Sequence, residues 1–340
     1  MGALYNNFKT KTFALWEAAH KLKKPTRSDV CWTTGMVHGR SDFAELQIQF
    51  LALAASIIIV EPEVPEVICA WDSPLPYTDL TKHRRGTGFP EIVWDCMKPA
   101  PLISNHNQSL FQFYAAQTPY VSLFRSWLSV NAWCRGLGLG YRSKWGGLRY
   151  AVTPWAMLSD ADTICLRPCV DFLMGKMRED PDVFCWTSHI EDDKINVGLV
   201  LLNMAKLNAM FFPLLSRIWW TTDHKDSTFV QAVRKAFPQM ADALKLGLYD
   251  KRMANSERFA AARKYKGKAW SDETTHWHVW KREVSVGGKK ALCAYERVLD
   301  DLLASAQEQL AAQEAATKVQ SDCTNANGAD LTRASGSGQT

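Results

Sequence analysis

An α/β domain built on a parallel sheet is the fold class the sequence predicts, and three observations predict it. The run Val30-Cys-Trp-Thr-Thr-Gly-Met36 is a short apolar stretch ending in small residues, as a buried strand does. The apolar stretch from Phe43 to Val60 has helix length and is stopped by the Glu61-Pro62 and Val64-Pro65 pairs. Val67-Ile-Cys-Ala-Trp71 then reads as a second strand, closed by the turn Asp72-Ser-Pro-Leu-Pro76. Strand, helix, strand in this order opens a parallel sheet.

Residues 1–28 are polar and basic and read as a short helical lead-in to a domain spanning 29–303. Within it, 73–142 read as a variable, acceptor-side region. It holds a Pro-rich loop, a basic patch (Lys82, His83, Arg84, Arg85) and an aromatic helical stretch over 109–133. A helix is predicted over 144–152 and a strand over 155–158, running straight into Asp160-Ala161-Asp162. Further strands are predicted at 183–186 and 195–202, and helices at 207–220 and 227–237. From 304 the chain becomes Ala/Gln-rich and then Ser/Gly/Asn/Thr-rich, which predicts a fraying helix followed by a disordered tail.

The 340 residues are 47% hydrophobic and 22% charged, values of a globular protein with a core. A formal charge of +5 suits an anionic substrate and is too small to argue for nucleic acid by itself. The nine cysteines lack zinc-type spacings, and the apolar settings of Cys69, Cys165 and Cys185 predict reduced, buried thiols and a cytoplasmic location. The N-terminus lacks a signal-peptide core, and Asn6 stands where myristoylation needs Ser or Thr. The most apolar run, 50–60, is too short to span a bilayer.

Asp160 and Asp162 carry the chemistry. Two carboxylates one residue apart at a strand end can both reach a hard cation, and such ions complete their shell with substrate phosphates. Asp180-Pro-Asp182 repeats the pattern but precedes a strand, which predicts an exposed turn. Gly136-Leu-Gly-Leu-Gly140 lacks both the glycine spacing and the preceding strand of a dinucleotide fingerprint.

Around the carboxylates, four blocks occur in a telling order. Ser143-Lys144 stands sixteen positions before Asp160, and Asp-Ala-Asp-Thr-Ile-Cys-Leu is followed by Val170-Asp-Phe-Leu173. Ile195-Asn-Val-Gly-Leu-Val-Leu-Leu-Asn203, Asp226-Ser-Thr-Phe-Val-Gln231 and Thr275-His-Trp-His-Val-Trp-Lys281 come after. Together they resemble the metal-binding core of glycogenin-like (family 8-like) glycosyltransferases, as a distant member over about 140–282. Thr33-Thr34-Gly35 resembles that family's nucleotide-contacting first strand end.

The resemblance implies the GT-A fold, a mixed, mostly parallel central sheet flanked by helices. It also implies transfer of a hexose from a UDP-sugar with retention, UDP-glucose or UDP-galactose being the expected donor. It implies Mn²⁺, with Mg²⁺ as the alternative, held by Asp160, Asp162 and His276. Thr33, Thr34, Gly35, Lys144, Asp160, Gly198 and Lys281 (or Arg282) would bind the nucleotide sugar, and Asn196 and Asp226 would line the reaction centre.

The chain departs from the pattern at Val197, at Ser227, and in the late block, which lacks the Gly and Pro-Trp of the family. That block is one residue short between His276 and Lys281, so His278 competes with His276 as ligand. Read without the resemblance, Asn196 equally serves backbone groups at a strand end and Asp226 equally caps a helix. Two other functions stay open: a metal-dependent nucleotidyltransferase or diphosphate hydrolase, and a non-catalytic nucleic-acid-binding protein. The acceptor could be a glycan, a lipid head group, a protein hydroxyl or a modified base; the sequence does not choose among them.

Overall fold

A computed structural model of the chain describes residues 2–22, 26–37, 43–72, 93–96, 121–127, 144–145, 148, 151–218, 226–250, 254–255, 275–278 and 289–334. The elements are α1 (Gly2–Ala19), β1 (Val30–Val37), α2 (Phe43–Val60), β2 (Glu66–Asp72), β3 (Val93–Cys96), β4 (Val121–Trp127), β5 (Trp155–Ser159) and β6 (Thr163–Cys165). They continue as α3 (Val170–Glu179), β7 (Cys185–Thr187), β8 (Leu199–Asn203), α4 (Phe212–Ile218), α5 (Phe229–Ala236), β9 (Leu246–Leu248), β10 (Ala254–Asn255), β11 (His276–His278) and α6 (Lys289–Ala334).

The main sheet has the order β3-β4-β2-β1-β5-β8-β7-β9. Its central run β4-β2-β1-β5 is parallel, while β3 and β8 enter antiparallel. A small sheet, β10-β11-β6, stands beside it. The fold is therefore α/β with a mixed, mostly parallel central sheet flanked by helices.

Alternation along the strands sorts side chains into two cores, because successive residues of a strand point to opposite faces. Val30, Trp32, Val67, Cys69, Met157, Leu199 and Leu201 join one cluster with α1, α2 and α6. Cys31, Ile68, Ala156, Leu158, Val200 and Leu202 join the other, under α4 and α5. Both faces are covered, so the central strands read as continuous apolar runs.

Helix α2 is apolar nearly all round because the sheet, α1, α6 and β6 enclose it. Each Leu or Ile so buried is worth about 1.5–3 kcal/mol. Its one buried hydroxyl, Ser56, donates to the Leu53 carbonyl at 2.7 Å and accepts the Cys165 N–H at 2.9 Å. Just past its end, Glu61 is 1% exposed and accepts the N–H groups of Cys169 (2.8 Å) and Val170 (3.3 Å), capping α3. Burial raises the Glu61 carboxyl above its ordinary range.

The structure revises several expectations. Residues 1–28 hold more than a lead-in, since Phe8, Leu15, Trp16 and Ala19 of α1 are buried against α2 and α6. Within 109–133 the described part, Val121–Trp127, is a strand rather than a helix, paired parallel with β2. Its Val121, Phe124 and Trp127 are residue types that strands favour. The 73–142 region thus contributes β3 and β4 to the central sheet.

The strand expected over 195–202 begins only at Leu199, after a bridge from Ile195 to Ile190. The helix expected over 207–220 starts at Met204 and loosens to a π-helical turn over Leu207–Phe211 before α4.

The boundary at 303/304 falls inside α6, which continues to Ala334. Its Ala/Gln composition is that of a good helix former. Tyr295, Val298, Leu299, Leu302 and Ala306 form its buried stripe. Beyond them, Gln309 donates to the Ile59 carbonyl at 3.2 Å and Gln313 to that of Leu22.

The predicted basic patch at 82–85 and the 136–140 glycines lie outside the described residues, as do 146–147 and 149–150 of the helix predicted over 144–152, where Lys144 and Trp145 are helical, Leu148 is in a 3₁₀ turn and 151–152 are not helical. No helix among the described residues is long and apolar enough to cross a membrane.

Candidate functional site

In an open α/β sheet, ligands gather at the carboxyl ends of strands where the strand order reverses. Here the chain runs from β1 outward through β2 to β4, then returns to lay β5 on the other side of β1. The switch point is therefore the gap between the ends of β1 and β5, flanked by Thr34-Gly35 and by Asp160. Antiparallel pairing of Ser159 with Leu199 brings the start of β8, and so residues 196–198, to the same edge.

Buried hydroxyls fix this edge. Thr33 and Thr34 are fully buried, and their Oγ1 atoms donate to the carbonyls of Met157 (3.0 Å) and Ser159 (2.9 Å). The Trp32 indole N–H donates to Ser159 Oγ at 2.8 Å. Both threonine hydroxyls thus sew β1 to β5, while Gly35 lies partly exposed just beyond the stretch of β1 that pairs with β5.

Asp160-Ala161-Asp162 is the turn from β5 to β6, with both carboxylates partly exposed and Ala161 buried. Thr163 Oγ1 donates to the Asp160 carbonyl at 2.7 Å, and the Asp160 N–H reaches the Gly198 carbonyl at 3.4 Å.

Lys144 is buried, its Nζ 2.6 Å from Asp160 Oδ1 and 2.5 Å from the Val197 carbonyl. Its neighbour Trp145 anchors it, packed against Phe211 and Phe229 at 5.3 and 6.2 Å between ring centroids. A buried ammonium costs free energy unless paired and hydrogen-bonded, and this one is both.

The 196–198 turn is held from within. Asn196 Oδ1 accepts the Gly198 N–H at 2.8 Å, the Asn196 N–H donates to the His189 carbonyl at 2.9 Å, and Thr187 Oγ1 donates to the Asn196 carbonyl at 2.6 Å. The Ile195 N–H donates to the Ser227 carbonyl at 2.8 Å, which sets the 3₁₀ turn Asp226–Thr228 beside this segment. Asn196 therefore does serve backbone groups, and does so at the site's edge.

Strand β11 pairs antiparallel with β6, placing His278 opposite Thr163 and His276 opposite Cys165. By register, His278 is the nearer of the two to Asp162. Trp277 between them is buried, 5.8 Å from Tyr295. The side chains of His276, His278 and Asp226, and all of Lys281 and Arg282, lie outside the described residues.

The structure thus brings together Thr33, Thr34, Gly35, Lys144, Asp160, Asp162, Asn196 and Gly198, with the backbone of Asp226, His276 and His278 close by. Two contributors were not legible beforehand. The Val197 carbonyl leaves no mark in a residue type, and Thr163 looks like any strand threonine.

Asp180-Pro-Asp182 lies elsewhere, exposed and occupied otherwise. Lys245 Nζ is 2.5 Å from Asp180 Oδ2 and holds that carboxyl below its ordinary range.

Two partly exposed carboxylates on one tight turn are an all-oxygen donor set that suits a hard divalent cation. A carboxylate has about four lone-pair sites, so Asp160 can accept Lys144 and still ligate a metal.

No family model matches the chain, and no curated protein matches it. Solved structures similar to it include mouse xyloside xylosyltransferase 1, with 8% identity, a TM-score of 0.42 and coverage of 74% of this chain and 97% of that one. The galactosyltransferase LgtC has 12% identity and a TM-score of 0.44, with 81% and 95% covered. The mannosyltransferase PcManGT of Pyrobaculum calidifontis, in complex with GDP-Man and Mn²⁺, has 14% identity and a TM-score of 0.37, with 97% and 90% covered. At these identities, roles do not transfer by position, and the residues stand on their own geometry.

Proposed function

We propose that the chain is a divalent-metal-dependent glycosyltransferase of the GT-A type. It moves a hexose from a UDP-sugar, UDP-glucose or UDP-galactose, to an acceptor hydroxyl with retention of configuration. The observation that carries this reading is the arrangement at the switch point: a strand-end carboxylate pair, Asp160 and Asp162, with a buried lysine bridging Asp160 to the 196–198 turn.

Asp160 and Asp162, with His278 or His276 as a third ligand, would hold Mn²⁺ or Mg²⁺; an imidazole ligand favours Mn²⁺. The bound metal would supply Lewis-acid stabilisation of the departing diphosphate. Thr33, Thr34 and Gly35 form the part of β1 against which the nucleotide would lie. Lys144 orients Asp160 and adds a fixed positive charge where negative charge develops, and such a preorganised charge needs no rearrangement during reaction. Asn196 and Gly198 shape the turn facing the sugar, Asp226 would position the sugar, and Lys281 would meet the diphosphate. Cys69, Cys165 and Cys185 are buried and outside any disulfide, which supports a reducing, cytoplasmic setting.

The test is release of UDP from a panel of UDP-sugars, with Mn²⁺ and with EDTA, for wild type and Asp162→Asn. Donor hydrolysis needs no acceptor. Metal-dependent release from one sugar, lost in the variant, supports the reading. Turnover of nucleoside triphosphates instead would assign a nucleotidyltransferase or hydrolase. Salt-sensitive nucleic-acid binding that survives Asp162→Asn, without turnover, would assign a binding protein.

A further inference from the structure

Behind the Asp160–Asp162 turn, three elements converge on a buried cluster that the reaction above does not use. Glu61 follows α2, Cys165 ends β6, and Cys169 immediately precedes α3. All three are buried, and one ligand atom from each lies within 4.8 Å of the others. Cys165 Sγ also donates to the Arg167 carbonyl oxygen at 3.3 Å, which puts a main-chain oxygen beside that sulfur.

We propose that Glu61, Cys165 and Cys169 form a structural zinc site, with the Arg167 carbonyl completing the shell. The donor chemistry selects the metal. Two sulfurs exclude the hard ions Mg²⁺ and Ca²⁺, and a carboxylate beside them suits Zn²⁺ better than Cu⁺. Tetrahedral Zn–S bonds of about 2.3 Å set ligand atoms about 3.8 Å apart, so side-chain rotation of about an ångström closes the cluster.

Two thiolates and a carboxylate around Zn²⁺ leave one net negative charge, which the N-terminal end of α3 faces favourably. On binding, the thiol protons pass to solvent and no redox step occurs. The spacing Cys-x-x-x-Cys was not read as zinc-like in the sequence because its third ligand lies 104 residues upstream, at Glu61. The site would stiffen the base of β6, three residues after Asp162, and it is independent of the transferase reading.

The experiment is metal analysis of the full chain, purified from zinc-replete medium and dialysed, followed by replacement with Co²⁺. Wild type and Asp162→Asn should each carry about one zinc per chain. Cobalt should then give thiolate-to-metal charge-transfer absorption. Cys165→Ser/Cys169→Ser should lose the zinc and the absorption.

Should that variant fail to fold by circular dichroism, Glu61→Gln carries the test. It keeps an oxygen to cap α3 but removes the carboxylate ligand, and should weaken zinc binding about tenfold or more. Zinc far below stoichiometric in wild type would overturn the proposal, as would zinc unchanged in a folded variant. A Cys165–Cys169 disulfide, seen as a mass lower by a pair of hydrogens in the purified chain, would overturn it too.

Discussion

Lys144 Nζ stands 2.6 Å from Asp160 Oδ1 and 2.5 Å from the Val197 carbonyl, so one buried cation ties a strand-end carboxylate to a turn on the neighbouring antiparallel strand. The lysine side chain is 4% exposed and the aspartate side chain 29%. The pair is therefore asymmetric: the ammonium depends on its partners, while the carboxylate retains access to solvent.

Replacing Lys144 by Met should lower donor turnover by about a hundredfold, the scale of losing one preorganised charge. Stability should fall by about 1–2 kcal/mol, less than for a fully buried pair because Asp160 keeps solvent. UDP-release kinetics and urea midpoints measure the two effects separately.

Asp162→Asn should leave stability within about 0.5 kcal/mol of wild type, since the side chain is partly exposed and on a turn. The rise in melting temperature on adding Mn²⁺ and UDP should vanish. EDTA should then make no difference to the variant, whereas it should silence the wild type.

Register favours His278 over His276 as third ligand, because His278 lies opposite Thr163, next to Asp162. His278→Ala should weaken Mn²⁺ about tenfold or more and His276→Ala less, as read from the Mn²⁺ concentration giving half-maximal UDP release. The reverse order would assign the ligand to His276.

Arg27 bonds Asp29 through Nε at 2.9 Å and Asp171 through Nη1 at 2.5 Å, and the Arg27 hydrogen bond holds the Asp29 carboxyl below its ordinary range. A depressed carboxyl contributes stability above its unfolded pKa and loses it as pH falls through the folded value. Asp29→Asn should therefore lower stability at neutral and basic pH and leave it unchanged at the acid end, which flattens the rise between them. The effect should stay below about 1 kcal/mol because Asp29 is half exposed. Urea midpoints across the carboxylate range measure it.

Gly247 lies opposite Trp186 across β9 and β7, and a Cβ there would meet the indole at 2.6 Å. Gly247→Ala should cost about 1–3 kcal/mol through overpacking. Thermal melting of that variant beside Gly175→Ala, where a Cβ meets nothing within 4 Å, isolates the clash.

Local signals carried most of the fold. β1 and α2 were legible almost to the residue because each is apolar and ends at small residues or proline. The carboxylate pair was legible because it follows a strand directly. The strand at Val121–Trp127 was not, since its aromatics fit a helix as well and only pairing with β2 decides. The length of α6 was not legible either, because what orders its polar continuation includes glutamine bonds to Ile59 and Leu22, far away in sequence. At the site, Lys144 could be singled out by spacing, but its second partner is a main-chain oxygen, which no residue type announces.

Helix α6 lies on α1: Lys11 is 2.6 Å from Asp300, and Phe8 packs on Tyr295 with ring centroids 4.9 Å apart. On the ribosome, the first helix emerges long before the last exists. Its apolar face, with Trp16 and Leu15, then has no cover from α6 until that helix has been made. Closing such distant contacts is slow, and exposed apolar surface in the interval invites association. Packing of α1 is therefore completed by a helix made after the whole central sheet, which makes α6 the closing piece of that core.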